Sequence, residues 1–174
     1  MKNQFDTKGD VTTIFLRRRD GTTIKTLIDT SDLPLAQEFP NTWHAVWHED
    51  IKNYYVCGNV KDQGAKRGIL LHRWLTDPPR GLDVDHKYHD TLDNRRSCNL
   101  RVVTKSQNQQ NRKGLTVTNK SGTRGVYWHK TNKKWVARLI LNNKYIHLGS
   151  FRDKDEAGLV ALEARQRLMP YAAL

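Results

Sequence analysis

The stretch "DVDHKYHDTLDNRRSCNLRVVTKSQNQQN", residues 83–111, joins an Asp-His pair to one further histidine and four asparagines. "LDVDHK" and "NLRVVT" alternate between apolar and polar side chains, as strands do. Thr104 is followed three residues later by Gln107, which predicts a capped helix from about Lys105 to Arg112 that ends near Gly114. The stretch is therefore predicted to be strand, loop, strand and helix. These elements would hold the asparagine side chains in fixed orientations.

The residues before this stretch predict a small β-rich region. In "VTTIFLRRRDGTTIKTLID", the Asp20-Gly21 dipeptide favours a tight turn between two strands. "WHAVWH" leads into a further predicted strand, "YYVCGNV", and Trp43 and Trp47 are predicted core residues. "GILLHRWL" predicts a short helix that ends before Pro78-Pro79. Residues 1–68 are thus predicted to be a β-rich N-terminal region of unknown role that packs on the segment after it.

The last fifty or so residues predict a three-stranded antiparallel sheet backed by one helix. "RGVYWHK", "KWVARLIL" and "KYIHLGSF" have the pattern of strands, and "DKDEAGLVALEARQRL" has one apolar helical face. Alternation directs towards that helix the side chains of Val126, Trp135, Ala137, Leu139, Ile146 and Leu148. The other face carries the cationic and aromatic side chains Tyr127, His129, Lys134, Arg138, Tyr145 and His147. The polar segment 114–120 is a predicted linker, and the fold class is α+β.

The formal net charge of +12 is concentrated in the later part of the chain. Residues 1–60 carry seven Lys/Arg and eight Asp/Glu, whereas residues 61–174 carry twenty-three and ten. Between Asp93 and Asp153 there are fourteen basic residues and no acidic one. A stretch of one sign predicts a polyanionic partner, nucleic acid first, over basicity for solubility alone.

Cysteine usage and hydropathy exclude other classes. Cys57 and Cys98 form neither a disulfide framework nor a zinc-ligand spacing, so a reducing, cytoplasmic setting is expected. The chain has no apolar run long enough to span a bilayer and no secretory signal at its start, so no membrane partner is expected.

Residues 69–113, with "LLHRWL" before the stretch quoted first, resemble the HNH endonucleases of the phage and intron-encoded homing type. The Asp-His pair, the Asp-Asn-Arg-Arg run, the Asn-Leu after it and a later Asn occur in the family's order. The resemblance implies a ββα-metal nuclease module that cuts double-stranded DNA with Mg²⁺ or Mn²⁺ in a bacterial or phage-infected cell. It implies Asn99 as the middle asparagine of the signature and Asn108 as the last.

Phosphodiester hydrolysis assigns roles to these residues. It needs a base for the attacking water, charge neutralisation at the phosphoryl oxygens and help for the departing 3′ oxygen. His86 is the candidate base, and Asp85 beside it is the candidate ligand of the divalent ion. By the resemblance, Asn108 adds a second metal oxygen, with Asn111 as its competitor. Asn99 is a candidate catalytic residue because its amide is expected to bridge backbone across the loop and orient His86.

Other polar residues near the signature have simpler predicted roles. Arg95, Arg96 and Arg101 are predicted phosphate contacts, on the argument that no acid lies near them to pair with. His89 is either a phosphate contact or a loop residue. His72, on an apolar segment, is predicted to be a hydrogen-bonded packing residue.

The C-terminal pattern "RGVYWHK…KWVARL…IHLGSF", followed by a helix that contains Asp155-Glu156-Ala157, resembles the plant ethylene-response-factor DNA-binding domain over about residues 121–169. The resemblance implies that the sheet lies in the major groove of DNA. The corresponding positions here are Arg124, Tyr127, His129, Lys134, Arg138, Tyr145 and His147. The DNA-reading face of the family is rich in Arg and Trp, whereas most of these positions hold Tyr, His or Lys. The base sequence that this domain prefers is therefore left open.

Together these observations predict a metal-dependent, site-directed HNH endonuclease, with a nuclease module at 69–113 and a DNA-binding domain at 121–174. The alternative is a DNA-binding regulator with a catalytically silent HNH fold, which has no use for the Asp-His pair and the later Asn together. RNA binding without catalysis explains the charge but not the histidine and asparagine series. The oligomeric state is open, with a monomer favoured, and a monomer with one module would most simply nick.

Overall fold

Short antiparallel hairpins form most of the regular structure of this α+β chain. The computed structural model describes residues 1–62, 64–112, 114–142 and 144–172. Lys113, where the predicted nuclease module ends, lies outside these residues, as do the last two residues of the predicted C-terminal domain. The chain divides into two units, Met1–Val103 and Thr104–Leu174. No helix in the described ranges is both long enough and apolar enough to cross a lipid bilayer.

The first unit contains three small antiparallel sheets in its described part. Their strands are β1 (Phe5–Lys8), β2 (Val11–Arg17), β3 (Thr23–Asp29), β4 (Trp43–His48), β5 (Asn53–Asp62), β6 (Ala65–Leu70), β7 (Asp83–His86) and β8 (Leu100–Val103). The sheet orders are β1-β2-β3, β4-β5-β6 and β7-β8. Two short helices, α1 (Leu33–Glu38) and α2 (Leu71–Thr76), complete the unit. The predicted turn at Asp20-Gly21 joins β2 to β3, as expected.

One apolar core serves the N-terminal strands and both helices. It contains Ile14, Leu16, Ile28, Ala36, Phe39, Trp43, Val56, Leu71 and Leu75. The rings of Phe39 and Trp43 are stacked with centroids 3.9 Å apart. A Cβ at Gly58 on β5 would overlap the Phe39 ring, so glycine is required there by close approach.

Two predictions for this unit are wrong. Trp47 is 45% exposed, because it lies near the end of β4, where its ring packs edge-to-face on Tyr54 and its N–H donates to Glu49. The segment "GILLHRWL" is only partly helical, since its first three residues finish β6 and pair with β5. Backbone pairing with a neighbouring strand therefore decided the start of α2.

The N-terminal region packs on the loop between β7 and β8, as predicted. Leu27 N donates to Leu92 O at 2.9 Å, and Asn94 N donates to Leu27 O at 2.7 Å. The Thr26 hydroxyl donates to Leu92 O at 2.6 Å. Strand β3 thus continues its hydrogen bonding into a loop more than sixty residues later in the chain.

The second unit contains α3 (Lys105–Gln110), β9 (Val126–His129), β10 (Lys134–Leu141), β11 (Lys144–Phe151) and α4 (Lys154–Leu168). The strand order β11-β10-β9, antiparallel throughout, confirms the predicted sheet. Ala157, Ala161 and Ala164 of α4 lie in apolar clusters with Val126, Ala137 and Leu139, which confirms the predicted inner face. The capping box of Thr104 and Gln107 is present, although α3 ends two residues earlier than predicted.

Candidate functional site

His86 is the last residue of β7 and is only 5% exposed. Its ring packs in a cluster of three, with centroids 5.0 Å from His72 and 5.8 Å from Tyr55, which are themselves 5.5 Å apart. Burial lowers the pKa of His86, although a hydrogen bond to Asn94 and the carboxylates of Asp85, Asp90 and Asp93 oppose that shift. The imidazole is therefore neutral near pH 7, which is the protonation state that a general base requires.

Asn94 fixes the orientation of the imidazole. Its Oδ1 lies 3.4 Å from His86 Nε2, and its Nδ2 donates to Thr26 Oγ1 at 2.9 Å and to Thr91 O at 3.4 Å. Because both donors of the amide point towards Thr26 and Thr91, the oxygen faces His86 and accepts a hydrogen bond from the Nε2–H group. The lone pair of the neutral ring is then on Nδ1. In the sequence Asn94 was noted only as part of the Asp-Asn-Arg-Arg run, and its contact with His86 was not predicted.

Asn99 holds the loop between β7 and β8 closed. Its Nδ2 donates to the backbone oxygens of Asp90 at 2.9 Å and Asp93 at 2.6 Å. Its Oδ1 accepts from Tyr88 N at 3.0 Å, and its backbone oxygen accepts from Lys87 N at 2.8 Å. The predicted bridge across the loop is therefore present. Asn99 positions the backbone that follows His86, whereas Asn94 touches the ring.

Asp85 lies beside His86 and directly opposite Arg101 of β8. Arg101 donates to Asp85 Oδ2 from Nε at 2.8 Å and from a terminal nitrogen at 2.7 Å. The candidate metal carboxylate is thus buried and engaged by a cation of the neighbouring strand.

This segment has a counterpart among known protein families. A family model described as HNH endonuclease matches residues 77–110. An HNH endonuclease domain occupies this segment. It contains His86, Asn94 and Asn99, and it supports a nuclease. No curated protein and no solved structure matches the chain.

The other arginines of the HNH domain have acidic partners, so the argument that no acid lies near them is wrong. Arg95 donates to Asp93, two residues earlier, at 2.8 and 2.6 Å. Arg96 pairs with Asp32, which precedes α1, and its Nε donates at 2.8 Å. Asp32 is remote in sequence, so local pattern gave no indication of it. Contact of Arg95, Arg96 and Arg101 with DNA stays a prediction.

Asn108 lies on α3 and Asn111 caps the end of that helix, in the second unit. Asn108 N donates to Thr104 O at 2.9 Å in the first turn of this capped helix. Asn111 is buried and ends α3. The chain divides between Val103 and Thr104, and the joint binding of a metal by Asp85 and Asn108 stays a prediction.

Two further histidines, His72 and His89, were given possible roles from the sequence. His72 is buried, and burial together with the charges of His86 and Arg73 lowers its pKa to about 3. It is therefore a neutral packing partner of the His86 ring, in agreement with its predicted packing role. His89 lies in the loop with a positive φ of 61°, and its contact with phosphate stays a prediction.

The outer face of the C-terminal sheet, the side away from α4, brings most of its predicted residues together. The Arg138 guanidinium lies 4.5 Å from the centroid of the Tyr127 ring and 5.1 Å from that of Tyr145. Cross-strand pairing places His147 opposite Arg138, and His129 opposite Lys134. The two tyrosine rings hold the guanidinium above the sheet, an arrangement that suits contact with a nucleic-acid edge.

Arg124 differs from the other predicted residues of this face. It precedes β9, and its guanidinium donates to the backbone oxygens of Arg112 at 2.7 Å and Gln110 at 3.1 Å. It therefore binds the carbonyl end of α3. The strand pattern could not place it, because residue 124 lies outside the strands.

Proposed function

We propose that the chain is a metal-dependent, site-directed DNA endonuclease of the homing type. The observation that supports it best is the buried, neutral His86 with its proton held on Nε2 by Asn94, beside the Asp85 carboxylate, in a matched HNH domain. In this proposal residues 69–113 are the nuclease module, residues 114–120 the linker and residues 121–174 the DNA-binding domain. Residues 1–68 are a β-rich region of unknown role. The substrate is double-stranded DNA in the cytoplasm of a bacterial or phage-infected cell.

In this proposal Asp85 is the protein carboxylate that would hold a hard divalent cation. Among the residues that the structure describes, no three His, Cys, Asp or Glu side chains are grouped as metal ligands, so a closed zinc cage is absent there. Mg²⁺ usually binds one or two carboxylates and completes its shell with water and phosphate oxygens. Asp85, with the amide oxygen of Asn108, would hold Mg²⁺ or Mn²⁺. When bound, the ion neutralises charge on the phosphoryl oxygens and on the departing 3′ oxygen.

The residues of the chain perform the proton transfer. His86 accepts the proton of the attacking water at Nδ1, the water oxygen bonds to phosphorus, and the bond to the 3′ oxygen breaks. The departing 3′ oxygen takes a proton from solvent. Asn94 keeps Nδ1 as the basic nitrogen before the transfer, since its oxygen accepts a hydrogen bond from Nε2–H. The product histidine is cationic, and the carboxylates of Asp85, Asp90 and Asp93 stabilise it.

Incubation of purified protein with supercoiled plasmid tests the proposal. We expect conversion to open circles with Mg²⁺ or Mn²⁺ and none with EDTA. His86→Ala should reduce the rate by about 10²–10⁴, the usual contribution of a general base, and retain DNA binding. Asp85→Ala should also lose cleavage. His44→Ala, which replaces a histidine on β4, is the matched control and should cleave normally. Normal cleavage by His86→Ala would refute the assignment.

A catalytically silent DNA-binding protein is the second candidate, because Arg101 already engages the candidate metal carboxylate. The same plasmid assay separates the two. A silent protein would retard the plasmid on a gel at every metal concentration and leave it supercoiled.

A further inference from the structure

The second unit contains a cavity of about 820 Å³ that is lined by cationic side chains. The cations are Arg112, Lys120, Arg124, Lys130, Arg138 and Arg165, and no Asp or Glu is among the described residues that line it. The cavity includes Tyr127 and Arg138 of the outer sheet face and extends to the end of α3 and the last turn of α4. Four of these cations, Arg112, Lys120, Lys130 and Arg165, are not among the residues predicted from the sequence to contact DNA.

Arg165 is the most unusual of the six. It lies in the last turn of α4, and its Nε is buried without a hydrogen-bond partner among the described residues. Burial also lowers the pKa of its guanidinium. A buried N–H that finds no acceptor is costly, and position in the last turn of a helix compensates only part of that cost. The side chain therefore has donor capacity that the protein leaves unused.

Two further arginines adjoin Arg165. Burial lowers the pKa of Arg124, and the charges of Arg165 and Arg112 lower it further, so the Arg124 guanidinium is repelled by those of the other two arginines. No carboxylate in the described ranges forms an ion pair with any of them. Arg124 is held by carbonyl oxygens of α3, which satisfy its donors but do not neutralise its charge. An anion between the three would remove the repulsion.

We propose that Arg112, Arg124 and Arg165, named here the arginine cluster, form a binding site for a phosphate group, and that the group belongs to the DNA backbone. Phosphate matches planar guanidinium groups geometrically and carries the charge that the cluster lacks. The choice of DNA as its source rests on the proposed function. The site would add a phosphate contact outside the outer sheet face, one that alternation along the strands does not identify.

The first experiment measures binding of the full chain to a random duplex in EDTA, over a salt titration. Arg165→Gln should weaken binding about tenfold, as for loss of one charge-assisted contact. It should also reduce the slope of log K against log salt by about one. Arg167→Gln, which removes the same charge from an exposed position on the same helix turn, is the matched control and should change affinity far less. Arg112→Gln, at an exposed position, provides a second test if Arg165→Gln folds poorly.

The second experiment uses inorganic pyrophosphate as a free probe and thermal unfolding as the readout. Pyrophosphate should raise the Tm of the parent and of Arg167→Gln, and should raise that of Arg165→Gln less. Arg165→Gln could reduce the effect of pyrophosphate on Tm and leave duplex binding unchanged. The cluster would then bind phosphate, but the proposal that this phosphate belongs to DNA would be overturned. If the substitutions at Arg165 and Arg112 changed neither duplex binding nor pyrophosphate binding, the proposed phosphate site would be overturned. Failure of the proposed nuclease is seen separately, as absent plasmid cleavage by the parent.

Discussion

Asn94 is the residue on which the orientation of His86 depends. Its amide joins the His86 ring to Thr26 of β3, and it is almost fully buried. Asn94→Ala leaves the Thr26 hydroxyl and the His86 Nε2–H without this partner, so the free energy of unfolding should fall by about 1–3 kcal/mol. Cleavage should fall by more than this instability explains, because the ring can then adopt the other tautomer.

The measurement compares cleavage rates and chemical denaturation of Asn94→Ala and the parent under conditions in which both are fully folded. Asn53→Ala, on β5, is a control asparagine outside the HNH domain. If Asn94→Ala lost stability but cleaved at the parental rate per folded molecule, Asn94 would have no positioning role.

His72 makes stability depend on pH. Its pKa falls from 6.5 to about 3 on folding, so the unfolded chain binds the proton more tightly. Above the pKa of the unfolded chain, about 6.5, His72 is neutral in both states and stability is not reduced. As the pH falls from about 6.5 towards 3, the unfolded chain takes up the proton and the folded protein does not, so stability is lost. Between pH 7 and pH 4 this histidine alone should reduce the free energy of unfolding by about 3 kcal/mol.

Denaturation of His72→Gln and the parent at several pH values measures this contribution. His86 is present in both proteins, so the difference between the two pH profiles reports His72. The variant should show a shallower loss of stability below pH 6.5, whereas His44→Gln should follow the parent. Parallel profiles for His72→Gln and the parent would show that His72 is protonated as easily in the folded state as in the unfolded chain.

At the scale of elements, the β7-β8 hairpin pairs Asp85 with Arg101 across two strands. A divalent ion at Asp85 has to share the carboxylate with a guanidinium. Arg101→Gln should therefore lower the Mg²⁺ concentration for half-maximal cleavage by about three- to tenfold, or about 1 kcal/mol. The measurement is cleavage rate against Mg²⁺ concentration. Arg80→Gln, at an exposed position in the same domain, is the control, and a higher Mg²⁺ requirement for Arg101→Gln would contradict the prediction.

The elements that sequence alone predicted well are those whose evidence is local. The Asp20-Gly21 hairpin, the Thr104 capping box and the apolar face of α4 each depend on residues within a few positions of one another. The helix α1 and the strands β1 and β6 were not predicted. Strand β1 is exposed along its whole length, so burial gives it no apolar alternation to detect, although it pairs with the adjacent strand β2. Strand β6 took three residues from a segment whose apolar pattern suited a helix equally well.

The candidate site shows the same division. His86, Asp85 and Asn99 could be selected from the order of the motif, and the backbone bridge made by Asn99 is present. The partners of Asn94 and Arg96 could not be predicted from the sequence, because Thr26 precedes Asn94 by 68 residues and Asp32 precedes Arg96 by 64. Arg101 lies across a strand pair from Asp85, and only the register of β7 and β8 reveals that contact.

At the scale of the whole molecule, the division after Val103 separates Asn108 from Asp85 and His86. Residues 1–103 contain the complete N-terminal core, so this fragment should fold but cleave at least tenfold more slowly than residues 1–112, which add α3. Circular dichroism and plasmid cleavage measure the two properties. Fragment 1–112 with Asn108→Ala should behave as 1–103 does. Equal cleavage by 1–103 and 1–112 would exclude α3 from catalysis.

The hydrogen bonds between β3 and the loop after β7 make the HNH segment a poor candidate for grafting. Transplanted alone into another scaffold, residues 77–110 would leave behind the Thr26 hydroxyl, the Leu27 carbonyl and the Asp32 carboxylate that Asn94 and Arg96 use. A chimaeric nuclease that exchanges only this segment should therefore lose its fixed histidine tautomer before it loses its fold. A designer who wants a transferable cutting unit has to move the whole first hundred residues.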